Sequence, residues 1–392
     1  MRSIKDEINL SEKKILLRLD LNVPLDNKKI TDTTRIDKII PTIIFLLKRN
    51  AKVIILSHIG RPKGKIIDEL SLKPVCEDLK NKINENIKLI TKNIKKIETT
   101  DLFNNQDEKI VMLENLRFYK EEEENNNKFA KHLASLADIY VNEAFSCSHR
   151  AHTSIFEITK FLPSYAGLQL NIEINALKKV TSEIKKPITC IIGGAKISSK
   201  INIIKNLIPK FDNIIIVGAM ANNVLKYKGY NIGKSKQESN CDKIIKEIFS
   251  LSIKENCKII YPEDVTVGKN LNGTPEIKEL NDIFEDDLIL DIGPKSIKNI
   301  DNIIEKSSTI LWNGPAGYFE NPNFAKGSLE ILKKIVEKNK ANTIYSVAGG
   351  GDTVALLNSV DAVNNFNFVS TAGGAFLEYL EGKELPGIKA LN

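Results

Sequence analysis

Lys186-Pro187-Ile188-Thr189-Cys190-Ile191-Ile192-Gly193-Gly194-Ala195-Lys196-Ile197-Ser198-Ser199-Lys200 is the stretch from which the fold is read. Ile188–Ile192 is a short, mainly β-branched run bounded by Pro187 and Gly193, the pattern of a buried strand. It runs into Gly193-Gly194-Ala195-Lys196 and then into a stretch of helical period carrying Lys200. Glycines let backbone N–H groups approach a phosphate, and the N-terminus of a helix favours an anion. An isolated Gly-Gly-x-Lys is weak evidence, and the GxxxxGK[ST] loop is missing.

The same unit recurs in both directions along the chain. Before it, runs at Ile15–Leu21, Val53–Leu56, Ile110–Leu113 and Ile139–Val141 each lead into a loop and then a helical stretch. After it come Ile214–Val217, Ile259–Tyr261, Leu288–Asp291, Thr309–Trp312, Thr343–Val347 and Phe368–Ser370. This alternation predicts parallel α/β sheets, and 392 residues exceed one ordinary core. The expected fold is α/β, with two doubly wound, Rossmann-like parallel-sheet domains facing each other across a cleft. Residues 1–170 form the first domain and 187–375 the second. The amphipathic stretch 171–186 joins them as a helix and hinge, and 376–392 returns to the first domain. Ile36, Ile39, Ile40, Ile43, Ile44 and Leu47 mark one helix, and 128–137 and 328–338 mark two more. The Lys/Asn-rich stretch 80–108 reads as exposed, loosely constrained surface.

Composition narrows the function. Hydrophobic residues make up 42% and charged residues 27%, and no apolar run approaches the ~20 residues of a membrane span. The N-terminus carries no signal-peptide pattern, so the expected address is cytoplasmic. The five cysteines have no metal-ligand or CxxC spacing. The net charge of +7 is spread among interleaved acids with no basic tail, so no nucleic-acid partner is expected. Of 57 basic residues only seven are arginine, all at or before Arg150. A lysine-rich chain that keeps arginine there points to two-pronged binding of carboxylate or phosphate.

In open α/β sheets ligands bind beyond the carboxyl ends of the strands. In the first half those positions hold Asp20 and Asn22 (RLDLNVP), His58 and Arg61 (SHIGRPKG), Asn115 and Arg117 (ENLRFYKEEEE), and His149, Arg150 and His152 (SHRAH). Arg35 opens the following helix. Together they make a pocket for a small polyanion, with Asp20 and Asn22 available for hydroxyl groups. His132, inside a helical segment, reads as structural. In the second half, Asp291-Ile292-Gly293-Pro294, Trp312–Glu320, Ala348–Thr353 and Ser370–Gly374 are further strand-end loops, most of them glycine-rich. Repeated turns of that kind suit a nucleotide's phosphate chain, with Asp352 placed for Mg²⁺.

These motifs, in order from RLDLNVP through GGAKISSK, WNGPAG and GGGDT to STAGGAFLEYLEGKELPGI, resemble the phosphoglycerate kinase family over essentially the whole chain. The resemblance implies phosphoryl transfer from 1,3-bisphosphoglycerate to ADP, giving 3-phosphoglycerate and ATP, with Mg²⁺ and a monomeric enzyme. It implies Asp20, Asn22, Arg35, His58, Arg61, Arg117 and Arg150 as the 3-phosphoglycerate site. Lys200, Gly293, Glu320, Gly350, Gly351, Asp352 and Thr353 would form the nucleotide site. Arg35, Lys196, Lys200 and the N–H groups of Gly373 and Gly374 would meet the transferring group. The chain departs from the family pattern at Ala372, where a third glycine is common, and at Phe376, where a small polar residue is usual. Ala316 replaces a proline and Ser199 an acid. If position 372 needs φ > 0, alanine there is strained. The alternatives are a kinase of another small carboxylate, which would leave part of the arginine set unpaired, and a catalytically inactive scaffold.

Overall fold

The computed structural model describes residues 1–103 and 107–392. The chain forms two compact units, Met1–Ile174 with Glu384–Asn392, and Asn175–Lys383. The return to the first unit therefore begins at Glu384, and residues 376–383, expected to travel with it, belong to the second. The division falls inside the helix Leu168–Thr181.

In unit 1 the strands are β1 (Lys14–Leu19), β2 (Leu25–Asp26), β3 (Lys29–Ile30), β4 (Lys52–Leu56), β5 (Ile87–Ile90), β6 (Ile110–Leu113), β7 (Ile139–Glu143) and β8 (Ser164–Ala166). Six make one parallel sheet in the order β5-β6-β4-β1-β7-β8, and β2 and β3 pair as a small hairpin. Ile15, Leu17 and Leu19 of β1 pack with Ile36, Ile39, Ile43 and Leu46 of the helix Thr34–Leu47 in one core. Of the stripe expected of it, that helix buries Ile36, Ile39 and Ile43, while Ile40 and Leu47 are half-buried and Ile44 is 37% exposed. The stretch 80–108 is more ordered than its composition suggests. It holds β5, an edge strand, and a helical turn at Thr99–Leu102, while residues 104–106 lie outside the described residues. The returning segment buries Leu385 and Leu391, and Gly387 N–H donates to Ser148 O at 2.8 Å, beside the SHRAH loop.

Unit 2 contains β9 (Ile188–Ile192), β10 (Asn213–Ile216), β11 (Lys258–Ile260), β12 (Asp264–Gly268), β13 (Glu276–Glu279), β14 (Leu288–Ile292), β15 (Thr309–Asn313), β16 (Tyr345–Gly349) and β17 (Phe368–Ser370). The parallel sheet runs β11-β10-β9-β15-β16-β17. Leu288–Asp291, expected as one more parallel strand, instead pairs antiparallel with β12 in a separate sheet, β13-β12-β14. Two fully buried groups help hold that sheet: Asp287 accepts from Lys278 Nζ at 2.9 Å, from Lys269 Nζ at 2.8 Å and from Phe284 N at 2.7 Å. Among the described residues no helix is long and apolar enough to cross a membrane.

Candidate active site

In unit 1 the strand ends gather arginines and histidines. Asp20, just beyond β1, takes both carboxylate oxygens to Arg35 Nη1, at 3.0 and 2.9 Å, and accepts from Ser146 Oγ as well. Its carboxylate, expected to be open to hydroxyl groups, thus also serves to aim Arg35. Asn22 commits Oδ1 to Gly60 N–H at 2.9 Å, which ties RLDLNVP to SHIGRPKG. Asn115 is a structural tie. Its amide donates to Ile59 O and Leu70 O at 2.8 and 2.9 Å, and its oxygen accepts from Arg117 N–H.

His58 is 3% exposed, and burial, together with the nearby Arg18 and Arg117 charges, pushes its pKa well below the ordinary histidine value. Arg18 Nη2 lies 3.0 Å from His58 Nδ1. A guanidinium only donates, so Nδ1 is the acceptor and the ring proton sits on Nε2. The sequence argument passed over Arg18. It is 1% exposed inside β1 and donates through Nε to Ser154 Oγ at 2.9 Å, so it acts on the pocket through His58. His152 is likewise buried and neutral, its pKa pushed down to about 3 by burial first and then by Arg117, Arg18 and Arg150; its Nδ1 has no hydrogen-bond partner among the described residues. Arg117 reaches Gly60 O at 3.0 Å. Arg61 and Arg150 are exposed, Arg150 with Nε on His149 Nε2 at 3.1 Å. His132 directs Nε2 to Ile94 O at 2.7 Å, as a structural residue would. Neutral, buried imidazoles among permanent cations suit anion binding and not proton transfer.

In unit 2 a cavity of about 510 Å³ opens beyond the strands. Its floor is glycine-rich: Gly194, Gly218 and Gly317, with Asp291, Glu320 and Asp352 also on the lining. Leu288, Ile289 and Leu290 of the antiparallel sheet and Tyr318 and Phe319 add an apolar wall. The sequence reading found both segments but not this wall, because it assigned Leu288–Asp291 to the parallel sheet and not to a separate antiparallel one. Gly293 lies one residue beyond the lining, packed against the Asp264 carboxyl carbon and oxygens.

Lys200, at the start of the helix Ile201–Leu207, donates to Asn313 Oδ1 at 2.6 Å, and burial lowers its pKa. Asn313 Nδ2 in turn donates to Gly349 O at 2.6 Å, so one buried amide, unmarked in the sequence reading, links Lys200 to the GGGDT loop. Gly350 has φ +98°, which an L-residue would strain to adopt. Gly351 and Asp352 are exposed in the first turn of the helix Gly351–Ser359. Thr353 Oγ1 accepts from Gly314 N–H at 2.7 Å and holds the WNGPAG loop. Lys196 is exposed. In STAGG the positive φ, +55°, falls on Gly373, and Ala372 is not among the residues with φ > 0, so the feared strain at 372 is absent. Ala316 N–H donates to Ser328 Oγ at 2.9 Å, a bond that proline could not make. Phe376 is fully buried against Gly349. Among the described residues no three His, Cys, Asp or Glu side chains converge as a metal cage. Asp352 alone fits an ion carried mainly on nucleotide phosphates, which needs few protein ligands.

Arginines and buried histidines at the strand ends of one parallel α/β unit and a glycine-floored cavity beyond the strands of another are the arrangement of a two-unit α/β kinase. Residues 5–383 match the family model described as phosphoglycerate kinase. Phosphoglycerate kinase of Wolbachia pipientis subsp. Culex pipiens (strain wPip) is 46% identical over 387 residues, covering 98% of each chain. That of Bartonella bacilliformis is 44% identical over 388 residues, covering 98% of this chain and 97% of the relative. The fold is similar to the structure of phosphoglycerate kinase from Coxiella burnetii, with a TM-score of 0.92, 37% identity, and 99% and 98% of the two chains covered. For the crystal structure of the Pyrococcus horikoshii OT3 enzyme the TM-score is 0.80 at 26% identity, covering 100% and 98%. The chain belongs to the phosphoglycerate kinase family.

Proposed function

We propose that the protein catalyses the reversible transfer of a phosphoryl group from the acyl phosphate of 1,3-bisphosphoglycerate to ADP, as a phosphotransferase with a carboxylate acceptor in the reverse direction. The observation that carries this reading is the set Asp20, Asn22, Arg35, His58, Arg61, Arg117 and Arg150 at the strand ends of unit 1 in a chain of this family. In the forward direction the bond between phosphorus and the carboxylate oxygen breaks and a bond to a β-phosphate oxygen of ADP forms. The donor is already activated, so positioning and charge neutralisation suffice and no general base is assigned. Arg117, Arg150 and Arg61 hold the phosphate and carboxylate of the small substrate, His58 donates from Nε2, and Arg35, aimed by Asp20, neutralises the group in flight. Lys200 and Lys196 and the N–H groups of Gly373 and Gly374 receive the transferring oxygens. Glu320 takes the ribose, with Gly293 near the base. Gly350, Gly351, Asp352 and Thr353 form the phosphate end.

Asp352 would hold Mg²⁺, which would neutralise charge on the nucleotide phosphates. Water must be kept from the acyl phosphate, so the two units close on their substrates about the joining stretch 171–187. Small-angle scattering with both substrates present should show compaction; an unchanged radius of gyration would remove the hinge. The enzyme acts as a cytoplasmic monomer.

The deciding test is a coupled assay with 3-phosphoglycerate, ATP and Mg²⁺, omitting each in turn and substituting acetate for the acceptor. Turnover that needs all three and ignores acetate supports the reading. A folded protein with no turnover, or one that prefers acetate, overturns it.

A further inference from the structure

We propose that Asp291 is a positioning residue for the nucleotide: its carboxylate, bonded to the first turn of the helix Lys326–Lys340, packs against Gly317 and so holds the Ala316–Glu320 wall of the unit 2 cavity in place beside β14, setting nucleotide affinity. This rests on the reading of that cavity as the nucleotide site. Asp291 lies near the end of β14, lines the cavity and is 3% exposed. Oδ2 accepts from Gly327 N–H at 2.7 Å, and Oδ1 from Ile292 N–H at 2.9 Å. Gly327 is the second residue of a 15-residue helix, so the carboxylate occupies the positive end of the helix dipole.

The wall approaches from the other side. A Cβ on Gly317 or on Gly327 would fall inside the van der Waals shell of Asp291 Oδ1. Neither glycine has φ > 0, so what excludes a side chain at these positions is the close approach to Asp291 and its neighbours rather than the turn geometry. Two further bonds finish the attachment: Tyr318 N–H to Leu290 O at 2.7 Å, and Gly218 N–H to Ala316 O at 3.0 Å. Side chains therefore hold the wall in two ways among the described residues: Ser328 Oγ receives Ala316 N–H, and the Asp291 carboxylate packs against Gly317. Burial pushes the Asp291 carboxyl up to about 7, with the Gly327 and Ile292 N–H groups and exposed Lys326 opposing. The two backbone donors oppose that rise, so losing either one would drive the carboxyl further toward its neutral form.

Asp291→Asn keeps the shape, yet its Nδ2 must face one of the two backbone N–H groups whichever way the amide turns. The experiment titrates the full chain with ADP, and separately with 3-phosphoglycerate, by calorimetry, and then measures kcat and KM. The expected result is a rise of about tenfold or more in the ADP Kd and in the KM for nucleotide, with kcat at saturation and the 3-phosphoglycerate Kd within about twofold of the parent. Gly317→Ala attacks the same contact from the opposite side and should give the same pattern, so the test survives if Asp291→Asn folds poorly. ADP affinity within about twofold of the parent in both variants overturns the inference, as does an equal loss of kcat. If the parent itself binds no ADP, the nucleotide reading fails first.

Discussion

Replacing Asp287 by asparagine should expose how the small antiparallel sheet is held. Asp287 is fully buried, and Lys278, 2.9 Å away, is 5% exposed. Burial works against the aspartate charge, but Lys269, Lys278 and the Phe284 N–H outweigh it and hold the carboxyl down at about 2. Asparagine keeps the volume and one neutral acceptor but removes the carboxylate charge beside Lys278, leaving that buried cation with Glu276 Oε2 at 3.7 Å as its nearest anion and the Phe284 ring at 3.8 Å. Breaking a buried pair in this way costs about 3–5 kcal/mol. The cost has a ceiling, because lysine can shed its proton. From a free-lysine pKa of about 10.4, neutralising it at pH 7 takes about 4.6 kcal/mol, and at pH 9 only about 2 kcal/mol. The destabilisation should therefore shrink as pH rises, to no more than about 2 kcal/mol at pH 9. Trp312, the single tryptophan, is fully buried in unit 2 and reports its unfolding by fluorescence in urea. Asp287→Leu with Lys278→Met should recover most of the loss, since no charge is left unpaired. A penalty that does not change between pH 7 and 9, or that falls below about 1 kcal/mol at pH 7, would refute this account.

Arg35→Ala should lower kcat by at least about a hundredfold while the urea midpoint barely moves, because the lost charge acts on the transferring group; steady-state kinetics with an unchanged kcat would remove Arg35 from that role. Ala372→Gly should leave kcat within about twofold, since the positive φ sits on Gly373, whereas Gly373→Ala should be strained by about 1–2 kcal/mol although nothing lies within 4 Å of the added carbon; thermal melts and kinetics of the two variants decide this. For His152, whose folded pKa of about 3 lies below the ordinary 6.5, stability is fully present above pH 6.5 and falls as the unfolded chain takes up a proton, by about 2 kcal/mol at pH 5. His152→Gln should flatten that part of the acid titration, and His58 adds a loss of the same sign.

The parallel sheets could be read from the chain because their central strands are buried on both faces and appear as unbroken apolar runs. Edges were harder. β5 carries Lys88 within a short, half-exposed run, and β8 has three residues. β13 inverts the usual alternation: Lys278 points inward to Asp287 and Ile277 is 60% exposed, so hydropathy misdirects. The cluster of arginines and histidines at the strand ends of unit 1 was legible because these residues are scarce in this chain and follow the apolar runs. Arg18, Asn313 and Asp291 were not, because each works through another group: a histidine tautomer, a lysine ammonium, a glycine wall. Spacing carries no trace of a hydrogen bond between residues over a hundred positions apart, such as Lys200 to Asn313.

The segment Glu384–Asn392 has a consequence for the order of assembly during synthesis. Unit 1 is not one continuous piece of chain: it leaves at Ile174 and resumes only after the whole of unit 2 has been made. Gly387 closes against Ser148, next to the loop that bears His149 and Arg150. A ribosome that has delivered residues 1–174 has thus supplied every arginine of the chain but not the segment that closes against Ser148. The N-terminal unit waits through about two hundred further residues for Glu384–Asn392, so the loop that bears His149 and Arg150, translated early, gains its contact with Gly387 late.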